Sequence, residues 1–241
     1  VCGCSTGSAW PREPRPDDRA TARMTAYVLV TGTDTGVGKT VATAVLALRS
    51  LRRGSAVAVV KPVQTGVADD EPGDAATVAA LSGVRVHELV RLAEPLAPAQ
   101  AATRAGVSLP PIQQLADQIA DVDAEVVLVE GSGGVTVALD AAGGTLLDLG
   151  RALEWYGNVE AVVVCRSGLG TLNHTRLTVD AVRAAGLPVT GLVIGSWPDP
   201  APPSDLLNRE DLPRLTGVPL VGVLPAGLGS WTPARVRNAA L

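Results

Sequence analysis

Apolar residues fall along this chain in short, nearly continuous runs separated by stretches of helical spacing. The runs cover residues 27–30, 56–60, 126–129, 159–164, 188–194 and 220–224, with a weaker one at 86–91. Each has the length and β-branched content of a strand, and none alternates apolar with polar positions. A strand apolar on both sides is buried on both faces, as in a parallel sheet covered by helices. Between the runs, helices are predicted over 41–53, 74–81, 112–121, 146–155, 206–215 and 233–241, and from the turn at 166–174 to about residue 185. Gly54 and Gly83 supply the stops of the first two. Residues 95–106 read as a loop holding at least one helical turn. The βα alternation predicts an α/β fold: a mostly parallel sheet with helices on both faces and right-handed crossovers.

That pattern occupies residues 24–241, read as a single domain. Residues 1–23 are rich in Pro, Arg, Asp, Ser and Gly and have no periodicity. They read as a disordered extension, with Met24, the sole methionine, as the natural start.

Composition narrows the function classes. The net charge of −4 comes without a basic block, so nucleic acid is not an expected partner. No apolar run reaches the roughly 18 residues of a membrane span. Cys2, Cys4 and Cys165 are too few and too scattered for a disulfide framework, which points to the cytoplasm. Phe is absent, so the core must be aliphatic.

The candidate chemistry gathers where runs end. The first run leads into Thr31-Gly-Thr-Asp-Thr-Gly-Val-Gly-Lys-Thr40 and then a helix. Strand, glycine loop, Lys-Thr and helix in that order make a phosphate-binding loop, with successive N–H groups and the helix N-terminus facing an anion. Gly36 and Gly38 allow close backbone approach, Lys39 reaches the β/γ-phosphates and the Thr40 hydroxyl ligates Mg²⁺. Five residues, 33–37, separate Gly32 from Gly38, where the usual spacing is four. Either the loop is a longer variant or Gly32 belongs to the strand exit.

Of 20 basic residues only Lys39 and Lys61 are lysine. Lysine is expected to persist where a compact ammonium is needed and a planar guanidinium will not serve. Lys61 closes the second run, at the carboxyl end of a strand, where parallel sheets bind ligands. Glu130 closes another, and beside a phosphate loop it is a candidate Mg²⁺ partner. Asp74 opens a helix, after a segment at 68–73 that is acidic and mobile by composition. It is either an N-cap or a site carboxylate. The glycine-bearing turn at 166–174 can hold a second anion, such as a carboxylate. His87 and His174 have no catalytic partner at a known spacing and read as structural.

Taken together, Thr31 to Thr40, Lys61-Pro-Val-Gln-Thr-Gly66, Val129-Glu-Gly-Ser-Gly-Gly134 and Leu169-Gly-Thr-Leu-Asn-His174 resemble the ATP-dependent dethiobiotin synthetases, a family of P-loop NTPase fold. The resemblance runs from Met24 to about Pro225, and the five-residue loop is the family's own form. It implies three substrates: 7,8-diaminopelargonic acid, CO₂ or bicarbonate, and ATP or another nucleoside triphosphate. It implies Lys39 and Lys61 as catalytic residues, and Mg²⁺ held by Thr40, Asp74 and Glu130. ATP contacts are implied at Gly36, Val37, Gly38, Lys39, Thr40, Val41, Asp74, Glu130, Gly131, Ser132, Gly133, Gly195, Ser196, Pro225, Ala226 and Gly227. Substrate contacts are implied at Thr65, where the family usually has Ser, and at Gly170, Thr171, Leu172 and Asn173. The last four come from the partner subunit of a homodimer. Two positions depart from the pattern: Gly36 stands where some members have Glu, and Gly195 where some have Asn for adenine. The competing reading is a partition-type P-loop ATPase switch. Such a switch carries a further lysine early in its loop, and no lysine precedes Lys39. A glutamine-dependent amidotransferase needs a Cys–His pair and more chain than is present.

Overall fold

A computed structural model describes residues 24–238. Seven strands form one sheet: β1 (Thr25–Gly32), β2 (Val57–Thr65), β3 (Arg85–Leu92), β4 (Val126–Gly134), β5 (Gly157–Cys165), β6 (Val189–Trp197) and β7 (Leu220–Pro225). Their order is β3-β2-β4-β1-β5-β6-β7, and every pair is parallel. The helices are α1 (Lys39–Arg52), α2 (Asp74–Ser82), α3 (Pro98–Ala105), α4 (Ile112–Ala120), α5 (Leu146–Leu153), α6 (Thr171–Ala184), α7 (Pro203–Thr216) and α8 (Pro233–Asn238). The extension expected at 1–23, and the end of the closing helix expected at 239–241, lie outside the described residues. Within them, no helix is long and apolar enough to cross a membrane.

The nearly continuous apolar runs are explained by the two faces they serve. In β4, Val127 and Val129 join the core under α4 and α5, while Leu128 joins the core under α1 and α2. In β5, Val163 and Cys165 pack with Val179 of α6 and Leu212 of α7, while Val162 and Val164 face α1. Every second residue serves one layer, and both layers are built of buried apolar side chains. α1 ends with Arg49 and Arg52 in its last turn, where cations suit the helix dipole. α5 opens on a capping box: Leu147 N–H donates to the Thr145 hydroxyl, and Thr145 N–H to the Asp148 carboxylate at 2.8 Å.

Several boundaries differ from the sequence expectation, each for a backbone reason. The second apolar run ends at residue 60, but β2 continues to Thr65, paired with β3 through Leu92. Pro62 is tolerated because the ladder from β2 to β4 ends at Val60. β4 likewise runs on to Gly134, β6 to Trp197 and β7 to Pro225. α1 starts two residues earlier than expected, at Lys39, and α7 three earlier, at Pro203, where proline suits the first turn. The loop at 95–106 contains a true helix, α3, with Pro98 in its first turn.

Candidate active site

Register brings the candidate residues together. Val30 of β1 lies beside Glu130, and Val60 of β2 beside Val129, so Lys61 comes level with Glu130 at the carboxyl edge of the sheet. β1 ends at Gly32, so that glycine is the strand exit, and the loop at 33–38 leads into α1. Lys61 and Glu130 are buried, at 3% and 1% exposure. The Lys61 ammonium lies 2.6 Å from Asp74 Oδ2 and 3.0 Å from Glu130 Oε1, and donates to the Gly131 carbonyl at 3.2 Å. The Thr40 hydroxyl sits 3.0 Å from Asp74 Oδ1 and 2.9 Å from Glu130 Oε1. Lys39 Nζ donates to the Asp34 carbonyl at 3.0 Å.

Burial works against the Lys61 ammonium, but the charges of Glu130 and Asp74 outweigh it and hold its pKa above the ordinary lysine value. Burial also opposes the Asp74 carboxylate, but the Lys61 charge, with hydrogen bonds from Lys61 and Thr40, keeps its pKa below the usual aspartate range. For Lys39, burial and then the nearby Lys61 charge push the pKa down.

The structure decides the double reading of Asp74. The N-cap of α2 is Gly73, which has no side chain to donate or accept. Asp74 is the first helical residue, and its N–H donates to Gln64 Oε1 at 2.8 Å. Gln64 thus performs the capping, and the Asp74 carboxylate is left to Thr40 and Lys61. A Cβ at Gly73 would lie 2.9 Å from Gln64 Oε1 and 3.0 Å from Glu88 Oε2, so a side chain there would have to push one of these two side-chain ends aside.

A cavity of about 760 Å³ opens above this cluster. Its polar floor includes Gly36, Gly38, Lys39, Thr40, Lys61, Thr65, Asp74, Ser132 and Gly133. Its other wall is apolar, with Val67, Pro95, Leu96, Pro98 and Val137, and Gln100 at one side. Sequence reasoning missed that wall, and Thr35 and Gln64 too. Residues 95–98 follow an edge strand without periodicity, so nothing in the sequence aims them at the phosphate loop. Gln64 was legible in part, since it lies three residues after Lys61.

Other expected contacts stand apart from the cavity. Gly195 packs its backbone on the phosphate loop. A Cβ built there would overlap the Val37 carbonyl, and one at Gly38 would lie 2.7 Å from the Gly195 oxygen. Position 195 therefore has no room for a side chain, and it and Ser196 offer a base only the end of β6. Ala226 N–H donates to the Trp197 carbonyl at 2.8 Å, tying the turn of Pro225, Ala226 and Gly227 to that strand end. Arg209 covers a face of Trp197, 5.4 Å from the ring centre, so that face is not free for a base. Gly170 and Asn173 are exposed and Leu172 partly so, outside their own chain's cavity and next to Leu169, which is 87% exposed. The Thr171 side chain is buried, and its hydroxyl donates to the Arg166 carbonyl at 2.7 Å, so it braces the turn. Arg166 itself pairs with Asp34 of the phosphate loop at 2.5 Å. His87 Nε2 is buried without a hydrogen-bond partner among the described residues, away from the cavity lining. The acidic segment at 68–73, mobile by composition, has two of its carbonyls taken by Arg91.

The donor set fits Mg²⁺. A cation, Lys61, already sits between the two carboxylates, and all the donors are hard oxygens. Among the described residues no group of three or more His, Cys, Asp or Glu could hold an ion. An ion here needs Thr40, water and phosphate oxygens to complete its shell, as Mg²⁺ at nucleotide sites does.

Solved structures share this architecture at low identity. The cell division ATPase MinD of Pyrococcus furiosus matches with a TM-score of 0.52 and 22% identity, covering 83% of each chain. The signal recognition particle receptor FtsY of Elizabethkingia anophelis matches at 0.52 and 15%, covering 93% of this chain and 68% of that one. A family profile described as an AAA domain matches residues 26–229. Fold, loop and profile define a P-loop nucleoside triphosphatase-type protein. Among proteins of known name, the ATP-dependent dethiobiotin synthetase BioD of Rhodococcus jostii is 52% identical, over 89% of this chain and 93% of its own. That of Mycobacterium avium is 49% identical over 88% and 92%, and that of Streptomyces coelicolor 46% over 88% and 89%. The chain belongs to the ATP-dependent dethiobiotin synthetase family.

Proposed function

We propose that this cavity carries out the full dethiobiotin synthetase reaction on 7,8-diaminopelargonic acid. The observation that carries the proposal is the convergence of Lys39, Thr40, Lys61 and Asp74 on the lining of one cavity, with buried Glu130 bonded to Thr40 and Lys61, together with apolar lining residues that suit an aliphatic chain. The 7-amino nitrogen attacks CO₂ and forms a carbamate. A carbamate oxygen attacks the γ-phosphorus of ATP, giving a carbamic-phosphoric anhydride and ADP. The 8-amino nitrogen attacks the carbonyl carbon, the C–O bond to phosphate breaks, and the ureido ring closes with release of phosphate.

Little covalent work falls to the protein, so positioning and charge neutralisation dominate. The phosphate loop amides and Lys39 hold the β/γ-phosphates. Lys61 stabilises the carbamate and then its anhydride. Thr65 supplies a hydroxyl to the substrate. Mg²⁺, when bound at Thr40, Asp74 and Glu130, offsets the phosphate charge. In this structure Lys61 satisfies those carboxylates, 2.6 Å from Asp74 and 3.0 Å from Glu130.

The 168–173 turn lies outside its own cavity, and Leu169 within it is bare. A second copy of the chain would bring that turn, with free N–H groups at the start of α6, to the substrate carboxylate. Sedimentation at micromolar protein is expected to show a dimer, and a fully active monomer would rule this out. The central test is nucleotide turnover with and without 7,8-diaminopelargonic acid and bicarbonate. Turnover requiring both supports the synthetase. Turnover indifferent to both favours the ATPase switch.

A further inference from the structure

We propose that Arg91 and Glu88, on the edge strand β3, are positioning residues that fix Asp74 over the phosphate loop. The inference rests on the reading of Asp74 as a metal ligand. The segment between β2 and α2 carries Asp69, Asp70 and Glu71, exposed and mutually repulsive, next to Pro72 and Gly73. Left alone, such a segment has many conformations and would leave the start of α2 loosely placed.

Arg91 removes that freedom with four hydrogen bonds. Nη1 donates to the carbonyls of Ala68, at 2.7 Å, and Glu71, at 2.8 Å. Nε and Nη2 donate to the two oxygens of Glu88, at 2.6 and 3.1 Å. Arg91 thereby closes the turn in which Glu71 N–H donates to the Ala68 carbonyl at 3.1 Å. The planar fork makes all four bonds at once, which an ammonium cannot.

The strand register carries this order to the site. Glu88 is paired with Lys61, and Arg91 with Gln64. Glu88 Oε2 and Gln64 Oε1 form the wall against which Gly73 packs, and Gln64 Oε1 holds the Asp74 N–H. Asp74 then meets Lys61 and Thr40. Neither Arg91 nor Glu88 lines the cavity, so neither is a catalytic residue.

The test is Mn²⁺ affinity of the full chain with saturating ADP, read from the EPR signal of the free ion. Arg91→Met and Arg91→Lys are expected to weaken Mn²⁺ binding about tenfold, as loss of a residue behind a metal ligand does. Lysine should not rescue, because the fork and not the charge is required. Glu88→Gln, which keeps the shape of the side chain, is expected to weaken binding by a smaller factor. It also supplies the measurement if the Arg91 variants fail to fold. Cleavage by protease within residues 66–73 should rise in the same variants. If Asp74→Asn weakens Mn²⁺ binding while the foldable Arg91 and Glu88 variants bind as wild type, the positioning inference is overturned. If Asp74→Asn itself binds Mn²⁺ as wild type, the ligand reading falls instead.

Discussion

Replacing Lys61 by methionine tests the site most directly, because it separates charge from volume. The side chain is 3% exposed and faces two carboxylates, one of them on Glu130, itself 1% exposed. Methionine fills much of the space but leaves Glu130 without its cation. Breaking a buried pair by removing one partner costs about 3–5 kcal/mol. For a domain of this size, that lowers the metal-free melting temperature by about 6–20 °C. The variant also has an empty cation position between Asp74, Glu130 and Thr40. Mg²⁺ at a hundredfold its dissociation constant would return about 2.7 kcal/mol. Wild type gains less, because its ammonium competes for the same oxygens. The assay is thermal melting of both proteins, metal-free and across a Mg²⁺ titration with saturating ADP to supply phosphate oxygens. Turnover should fall by about 10²–10³ even with saturating metal, the scale of losing one charge-stabilising donor. Lys61→Arg keeps the charge but not the compact shape, and should melt nearer wild type while remaining slow. A metal-free melting temperature for Lys61→Met within about 2 °C of wild type, less than 1 kcal/mol, would refute the reasoning, as would equal Mg²⁺ stabilisation of both proteins.

Other outcomes follow from the same geometry. Lys39→Arg should lower kcat by about two orders of magnitude, since a guanidinium cannot take the place of the buried ammonium between the loop carbonyl and the phosphate; near-normal turnover would contradict its role. Position 195 has no side chain to read a base, so about ten- to a hundredfold of discrimination, the worth of one bidentate contact, should be missing and several of ATP, GTP, CTP and UTP should show comparable kcat/KM. An ATP preference above about a thousandfold would show that backbone groups read adenine unaided. Gly195→Asn should weaken all four nucleotides together, because the new Cβ displaces the phosphate loop. Asp74, held below its ordinary pKa of 3.8, contributes stability that is present above that value and is lost as pH falls through its lower folded value. In metal-free protein, Asp74→Asn should therefore flatten the acid limb of the stability curve below about pH 4. An unchanged limb would remove the Lys61–Asp74 pair from the account.

The sequence by itself determined the layers and the chemistry. Nearly continuous β-branched runs argue for strands buried on both faces, and their alternation with helical spacing argues for a mostly parallel, helix-covered sheet. The phosphate loop was legible because its physics is local: a strand, glycines that permit close approach, Lys39, Thr40 and a helix N-terminus, all contiguous. Lys61 and Glu130 were legible because each closes an apolar run, and a charge there lies at the ligand-binding edge. Tertiary structure decided what depends on neighbours distant in sequence. Whether Asp74 caps α2 was decided by Gln64, which takes its N–H, a fact fixed by how β2 approaches α2. The strands run further than the apolar runs because pairing with an adjacent strand, and not side-chain character, sets where a ladder stops. Gly195 reads as a lost side chain in the sequence, but the approach of β6 to Val37 leaves no volume for one. The apolar wall at 95–98, and the Arg91 fork behind Asp74, belong to the same class. Periodicity records which residues are buried, but only packing decides which of them meet.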